Sequence, residues 1–350
     1  MTDSRDQSME TRKIQSVGGG TYTVSLPKSW SESEGVTPGE TVNVHQHRDG
    51  ILAIQTQETD SNGPVQSTVR VAHEETARLE QTLRAAYAVG IKELRLVAAT
   101  EFSADQRRIV DAVAKKLTGV SVVEASETEI TVQVLLNRDE VSVSQSVRQL
   151  KFIALSMHET AIESLTTGSN AAYVATRDDQ VDRLYAMIDR SFARALARLD
   201  EVDALGYSRP ALFELWETTR ELERVADHAE GIATTIPAVD DSVPDPALDE
   251  IRSFGQAART LVDDAVAVIV GDAGAETAHE TLLARDELCE QIERYTPRGS
   301  TTDGSQLRPV LHRVRRTAEH GGNIAELGLQ NAVRHGELTP TPDDRGQQPQ

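Results

Sequence analysis

The 350-residue chain has one cysteine, Cys289. Disulfide-based stability is therefore excluded, and so is a zinc site built on sets of cysteines. Aromatic residues are only 4% of the chain. The longest apolar run, Ala265 to Val270, is far short of the roughly 20 residues that span a bilayer. The N-terminal string MTDSRDQSMETRK has no apolar core of a secretory signal, so a cytoplasmic protein without membrane insertion is expected. Catalytic signatures are missing as well: no Walker loop and no convincing Ser-His-Asp or Cys-His set. The Glu-x-x-His string that di-metal bundle enzymes need twice occurs once, at Glu276 and His279. An enzyme is not expected.

Lysine is scarce too. Six of the 36 cations are lysine and the rest arginine, against 56 acids, for a net charge of −20. Abundant acids, few lysines and small side chains suggest a halophilic protein, because in molar salt repulsion between surface acids is screened beyond about 3 Å. The charge is uneven. Residues 9–57 carry four cations and five acids, so this head is nearly neutral while the body is strongly negative. DNA would be repelled by the body and tolerated only at the head.

The head reads as β structure. Tyr22, Val24 and Leu26 alternate with polar residues up to Pro27, which ends the strand. A short helix is expected over Lys28 to Ser33, closed by Gly35. Val42 and Val44 start a further strand, Asp49-Gly50 is a hairpin turn, and Ile51 to Ile54 return. A unit of this size holds too few apolar side chains to stand alone, and a second copy would supply the missing core. Ile14, Gly20, Val24-Ser25-Leu26-Pro27-Lys28, Gly35-Val36, Gly39-Glu40, Val42, Asp49-Gly50 and Ile54 together resemble the AbrB/MazE/SpoVT family. That resemblance implies a swapped-hairpin homodimer that presents basic residues to DNA, here Arg12, Lys13, Lys28 and Arg48.

A polar linker, 58–66, precedes a βαβαββ pattern over 67–137, with Gly90 and Gly119 where helix C-caps belong. It carries no phosphate loop, and a spacer or dimerisation role is expected. From 143 onward the apolar spacing is helical throughout. Val147, Leu150, Ala154, Met157, Ala161 and Leu165 define a first helix; Val181 through Leu199 a second; Leu212 through Ala233 a third. Three more are expected near 246–270, 275–295 and 305–335, with the proline-rich 237–246 between the halves. The fold class expected is thus multidomain α+β: the swapped-hairpin head at 9–57, the small α/β domain at 67–137, and all-α three-helix bundles at 143–237 and 245–336. Disordered tails are expected at 1–8 and 337–350.

The helical half is duplicated. Arg224 to Ala233 matches Arg316 to Ala325 at five of ten positions, 92 residues apart, and Arg177 to Leu184 echoes Arg285 to Ile292. In the third helix, Glu223 and Asp227 stand at i,i+4 on one face. Such a pair is either a solvated acidic face, with Arg220 and Arg224 as partners, or a set of oxygen donors for a hard or borderline cation.

The string Arg220 to Ala229, with Ile232-Ala233, resembles the signature of PhoU, the phosphate-uptake regulator family. The resemblance implies tandem three-helix bundles, each with an acidic metal-binding motif, and a role in repressing phosphate uptake. It makes Glu223, Asp227 and Glu319 candidate ligands of a divalent or iron ion, and Asp178, Asp182, Asp286 and Glu290 match a weaker acidic element. The second bundle departs from the pattern, with Arg315 in place of the first acid and Glu319 in place of the aspartate. A guanidinium cannot ligate a metal and would pair with Glu319 instead. His228 and His320 follow the acids by one residue, about 100° round the helix, and are expected to be solvated or to support the ligands from behind.

Together, head and body resemble archaeal phosphate-uptake regulators. Two functions follow as expectations. In one, a negative regulator of phosphate uptake binds DNA through its head and senses phosphate status, or docks a transporter ATPase or sensor component, through its bundles. In the other, a dimeric metal-binding signalling protein serves a phosphate transporter without touching DNA.

Overall fold

The computed structural model describes residues 10–48, 50–56, 66–71, 76–136, 142–167, 171–235, 245–295 and 303–338. Most of the expected linker and of the proline-rich break, residue Asp49 of the hairpin turn and nearly all of the two expected tails lie outside the described residues; Gln66 of the linker already belongs to a strand, and Asp245 and Pro246 of the break to a helix. The chain forms two compact units, 1–61 and 62–350.

In the first unit, β1 (Gln15–Val17) pairs antiparallel with β2 (Thr21–Thr23), with Ser16 opposite Tyr22. Gly18, at φ 66°, opens the left-handed turn between them. The expected strand through Leu26 stops at Thr23, since β1 offers only three residues to pair with. Helix α1 (Lys28–Ser33) follows Pro27, and Gly35 at φ 71° lies beyond its end. β3 (Asn43–Gln46) pairs antiparallel with β4 (Leu52–Gln55), with Val44 opposite Ile54. Among the described residues of this unit no apolar side chain is buried. Ile14, Tyr22 and Leu52 are 71%, 77% and 59% exposed. Two short ribbons and one turn of helix cannot enclose these side chains within a single copy.

The second unit opens with β5 (Gln66–Val71), α2 (Thr76–Ala88), β6 (Glu93–Ala98), α3 (Ala104–Lys116), β7 (Val120–Ala125) and β8 (Glu129–Val134). The sheet order is β5-β6-β8-β7, parallel at β5/β6 and antiparallel elsewhere. Parallel pairing follows from the α2 crossover, and β7 and β8 form a hairpin. Ser103 and Gln106 make a reciprocal capping box that starts α3. Leu79, Leu83, Leu94, Leu96, Val110 and Ile130 bury the helices against the sheet.

Seven helices follow: α4 (Val143–Thr167), α5 (Ala171–Ala197), α6 (Leu199–Leu205), α7 (Arg209–Thr235), α8 (Asp245–Ile269), α9 (Ala275–Arg294) and α10 (Asp303–His335). Helices α4, α5 and α7 form one trio and α8, α9 and α10 another. The trios join through α4 against α8 and α7 against α10, and share one core. All six apolar residues of the first expected stripe are buried. The second stripe runs too far. α5 ends at Ala197, Leu196 is 73% exposed, and Leu199 begins the separate short helix α6. The buried acid Glu201 turns the chain there, drawing the guanidiniums of Arg194 and Arg198 onto itself.

The α/β region is more than a spacer, because it is docked on α5. Arg190 is buried, donates 2.6 Å and 3.2 Å hydrogen bonds to the carbonyls of Tyr87 and Gly90, and lies 4.9 Å from the Tyr87 ring. Gly90 permits this approach: its φ is 92°, and a Cβ there would fall 2.5 Å from Cγ of Arg194. The small domain is thereby fixed to the helix that carries Asp178 and Asp182.

Candidate functional site: two repeat-related clefts and the seam between them

The first trio brings together carboxylates from two helices. Asp178 and Asp182 stand one turn apart on α5, and Glu223 and Asp227 one turn apart on α7. Each side chain is raised above its ordinary pKa, first by partial desolvation and then by the charges around it, although Asp227 still reaches solvent. Glu223 is pushed up to about 7, with Asp227, Asp182 and Asp178 contributing. Asp178 is raised to about 6, with Asp182, Glu230 and Asp227 contributing. Asp227 is raised by Asp182 and Glu230, opposed by Arg224, and Asp182 by Asp179, opposed by Arg84 and Lys116. The opposing cations include two from the α/β domain, where Lys116 lies 2.9 Å from Asp179.

Four acids that disfavour one another's charge form a set of oxygen donors suited to a hard or borderline cation. Among the described residues, however, no three His, Cys, Asp or Glu side chains converge as a metal centre. The donor chemistry fits a cation, and the side chains would have to draw inward to hold one.

The second trio reproduces the position with different chemistry. Arg285 and Asp286 on α9, with Arg315, Arg316, Glu319 and Asn323 on α10, line an open cleft. Glu319 does not stand in a carboxylate cluster. Arg315 lies 3.2 Å from it at i,i+4, the pairing expected from the sequence, and Arg316 pairs with it more closely. Asp286 lies 2.7 Å from Arg285, while Glu290 pairs with Arg294 on its own helix.

Between the trios lies a polar seam that sequence reasoning missed. His228 and His320, equivalent residues of the repeat, meet with their Nε2 atoms 3.2 Å apart. His320 is 1% exposed, so of the two roles expected for it, solvated or supporting the ligands from behind, the first does not hold. It faces α7 because α10 packs there, a tertiary contact that one helix's periodicity does not reveal. Nδ1 of His320 donates to the buried Glu221 at 2.6 Å, and Asn323 donates to the same carboxylate at 2.9 Å. Burial alone would raise Glu221, but these hydrogen bonds outweigh it and hold it below the ordinary range. The two imidazoles share one hydrogen bond through these Nε2 atoms, one ring donating and the other accepting. Burial, His320 and nearby arginines push His228 down to about 4. One heptad earlier, buried Glu214 is paired with Arg334 and Asn331 of α10. The spacing of Glu214, Glu221 and His228 by seven was a legible signal of a polar stripe on α7.

In the head, Arg12, Lys13, Lys28 and Arg48 are all exposed. Arg12 is paired with Glu10, and Lys28 lies 3.6 Å from Glu32.

Comparison with known proteins agrees with both resemblances. Residues 147–236 match the PhoU domain, and residues 15–57 match the model described as antidote-toxin recognition MazE, bacterial antitoxin. The chain therefore carries an N-terminal MazE/AbrB-like domain and a PhoU domain, the latter covering the first trio. Two solved structures are similar in part. PhoU from Pseudomonas aeruginosa is 18% identical with a TM-score of 0.46, over 55% of this chain and 96% of that one. The phosphate transport system regulatory protein PhoU from Streptococcus pneumoniae is 18% identical with a TM-score of 0.41, over 57% and 96%. No curated protein matches the sequence significantly.

Proposed function

We propose that this protein is a homodimeric regulator of phosphate homeostasis that represses uptake, acting on DNA through its head and reading cation or phosphate status through its bundles. The observation that carries the reading is the union, in one chain, of a MazE-type head with a PhoU domain whose α5 and α7 hold four mutually destabilised carboxylates. Asp178, Asp182, Glu223 and Asp227 would hold a divalent or iron cation, which would relieve their repulsion and lock α5 to α7. Because α5 also carries the α/β domain through Arg190, such locking would be felt outside the bundle. The head's exposed apolar residues would be covered by a second copy, and Arg12, Lys13, Lys28 and Arg48 would face phosphates of the DNA backbone.

A second reading, a dimeric signalling protein of a phosphate transporter without DNA contact, is favoured by the pairing of Arg12 and Lys28 with acids of their own unit. Such cations have less charge to offer a polyanion. A gel shift at two salt concentrations separates the two. DNA binding by the parent, abolished by the double change Arg12→Ala and Lys13→Ala, is expected from the first reading. For the wider role, a deletion strain should take up phosphate faster than its parent in phosphate-rich medium, and equal uptake rates would oppose it.

A further inference from the structure

We propose that the cleft of the second trio binds a phosphate group, free or esterified, so that the two repeat-related clefts take ligands of opposite charge. The inference deepens the reading above and rests on it only for its biological meaning; the binding itself stands on the geometry of this cleft.

The repeat makes the swap visible. Glu223, Arg224 and Asp227 of the first trio correspond to Arg315, Arg316 and Glu319 of the second. One acid has become a base, in a chain whose net charge is −20. The lining then holds three guanidiniums, of Arg285, Arg315 and Arg316, against two carboxylates, Asp286 and Glu319. Glu326 also lies 3.8 Å from Arg285, so the charges about balance, and in so acidic a molecule a cleft that is not negative is where an anion is repelled least.

The guanidiniums also have donors to spare. Nε of Arg285 lies 2.7 Å from Asp286 and Nε of Arg315 lies 3.2 Å from Glu319, so the carboxylates engage the buried inner nitrogens and leave the outer ones of the fork for a ligand. A guanidinium has five donors in a fixed fork and matches phosphate oxygens two at a time. Arg285 is held in place by the backbone of α10: a Cβ on Gly322 would lie 2.6 Å from its Nη1. The side chain therefore lies flat across α10, toward the helix that supplies the other two arginines, and needs little ordering to bind.

Glu319 supplies selectivity. A carboxylate in the lining can only accept a hydrogen bond. Phosphate near neutral pH still carries a proton to donate to it, whereas sulfate carries none and would be repelled. A phosphate monoester, with a second pKa of about 6, has mostly lost that proton at neutral pH and gains less from Glu319, so it would rely on the arginines.

The full-length protein, in phosphate-free buffer, is titrated calorimetrically with inorganic phosphate, with a simple phosphate monoester and with sulfate. Saturable binding of phosphate or of the monoester is expected, the tighter of the two identifying the source, with sulfate at least about tenfold weaker. Arg315→Gln and, separately, Arg285→Gln should weaken binding by about tenfold or more while helical circular dichroism is unchanged. Glu319→Gln should raise sulfate affinity and narrow the gap. Absence of binding by both phosphate compounds, equal binding of sulfate by the parent, or unchanged affinity in both folded arginine variants would overturn the proposal. Since the readout is binding alone, the site can stand if the deletion strain shows normal uptake, and can fail while the uptake phenotype holds.

Discussion

Glu223 is the residue at which environment and chemistry conflict most openly. Its carboxyl, raised to about 7, still holds a proton in the folded protein at pH values where an unfolded chain has lost it. The native state therefore binds more protons than the unfolded state between roughly pH 4.5 and 7, and stability falls as pH rises through that window. In metal-free protein treated with chelator, the melting temperature should decline from pH 5 to pH 7. Glu223→Gln should flatten that decline, and an added divalent cation should reverse it in the parent. A melting temperature that climbs over this range would count against the carboxylate cluster. Glu221, buried beside His320, behaves oppositely, since its hydrogen bonds hold it below the ordinary carboxylate range against the effect of burial. Its removal in Glu221→Ala strands the Nδ1–H of His320 and the amide of Asn323. A loss of about 1–3 kcal/mol in denaturant unfolding is expected.

At the scale of elements, Arg190 is the buried polar tie between the α/β domain and α5, beside the surface pair Lys116–Asp179 and the packing of Ala186. Arg190→Ala removes both hydrogen bonds to the carbonyls of Tyr87 and Gly90 and the stacking on Tyr87. Hydrogen exchange over α2 should then accelerate by about tenfold or more relative to α4, as buried carbonyls lose their donors. Equal protection in parent and variant would mean that the apolar contacts suffice. The elements themselves were largely legible. The stripe from Val147 to Leu165, the left-handed turn at Gly90 and the hairpin-like return from Val44 to Ile54 are local signals, and local chemistry decided them; Gly119, expected as a cap, instead follows the extended C-cap Leu117 and turns the chain into β7. Glu223 and Asp227 were legible by spacing, and Asp178 and Asp182 through the family resemblance. The seam was legible only as the stripe of Glu214, Glu221 and His228 on α7; its partner His320 is buried by the packing of α10 on α7, which no single helix's pattern reveals. Helix α6 was missed for a related reason: Leu196 and Leu199 continue the apolar period of α5, but Glu201 captures two arginines and ends it.

The whole molecule divides its charge and its core unequally between two units. The head buries no apolar side chain among its described residues, so the second copy proposed for it would complete a core that a single head lacks. Val44, 54% exposed, should lie in that contact. Sedimentation of the parent should report a dimer, and Val44→Asp a monomer with its bundles intact. The body, carrying most of the −20 charge, should gain thermal stability as potassium chloride rises from 0.1 M to 2 M, because the screening length falls from about 10 Å to a few ångströms. The proposed function joins these units: the carboxylate cluster of the first trio would govern what the head does on DNA. Chromatin pull-down of the tagged protein, grown in phosphate-rich and phosphate-poor medium, measures that directly. The account predicts enrichment at promoters of phosphate-uptake genes that changes with phosphate supply, and a loss of that response in the double variant Glu223→Gln and Asp227→Asn. Identical profiles in both media, or an unaltered response in the variant, would contradict it.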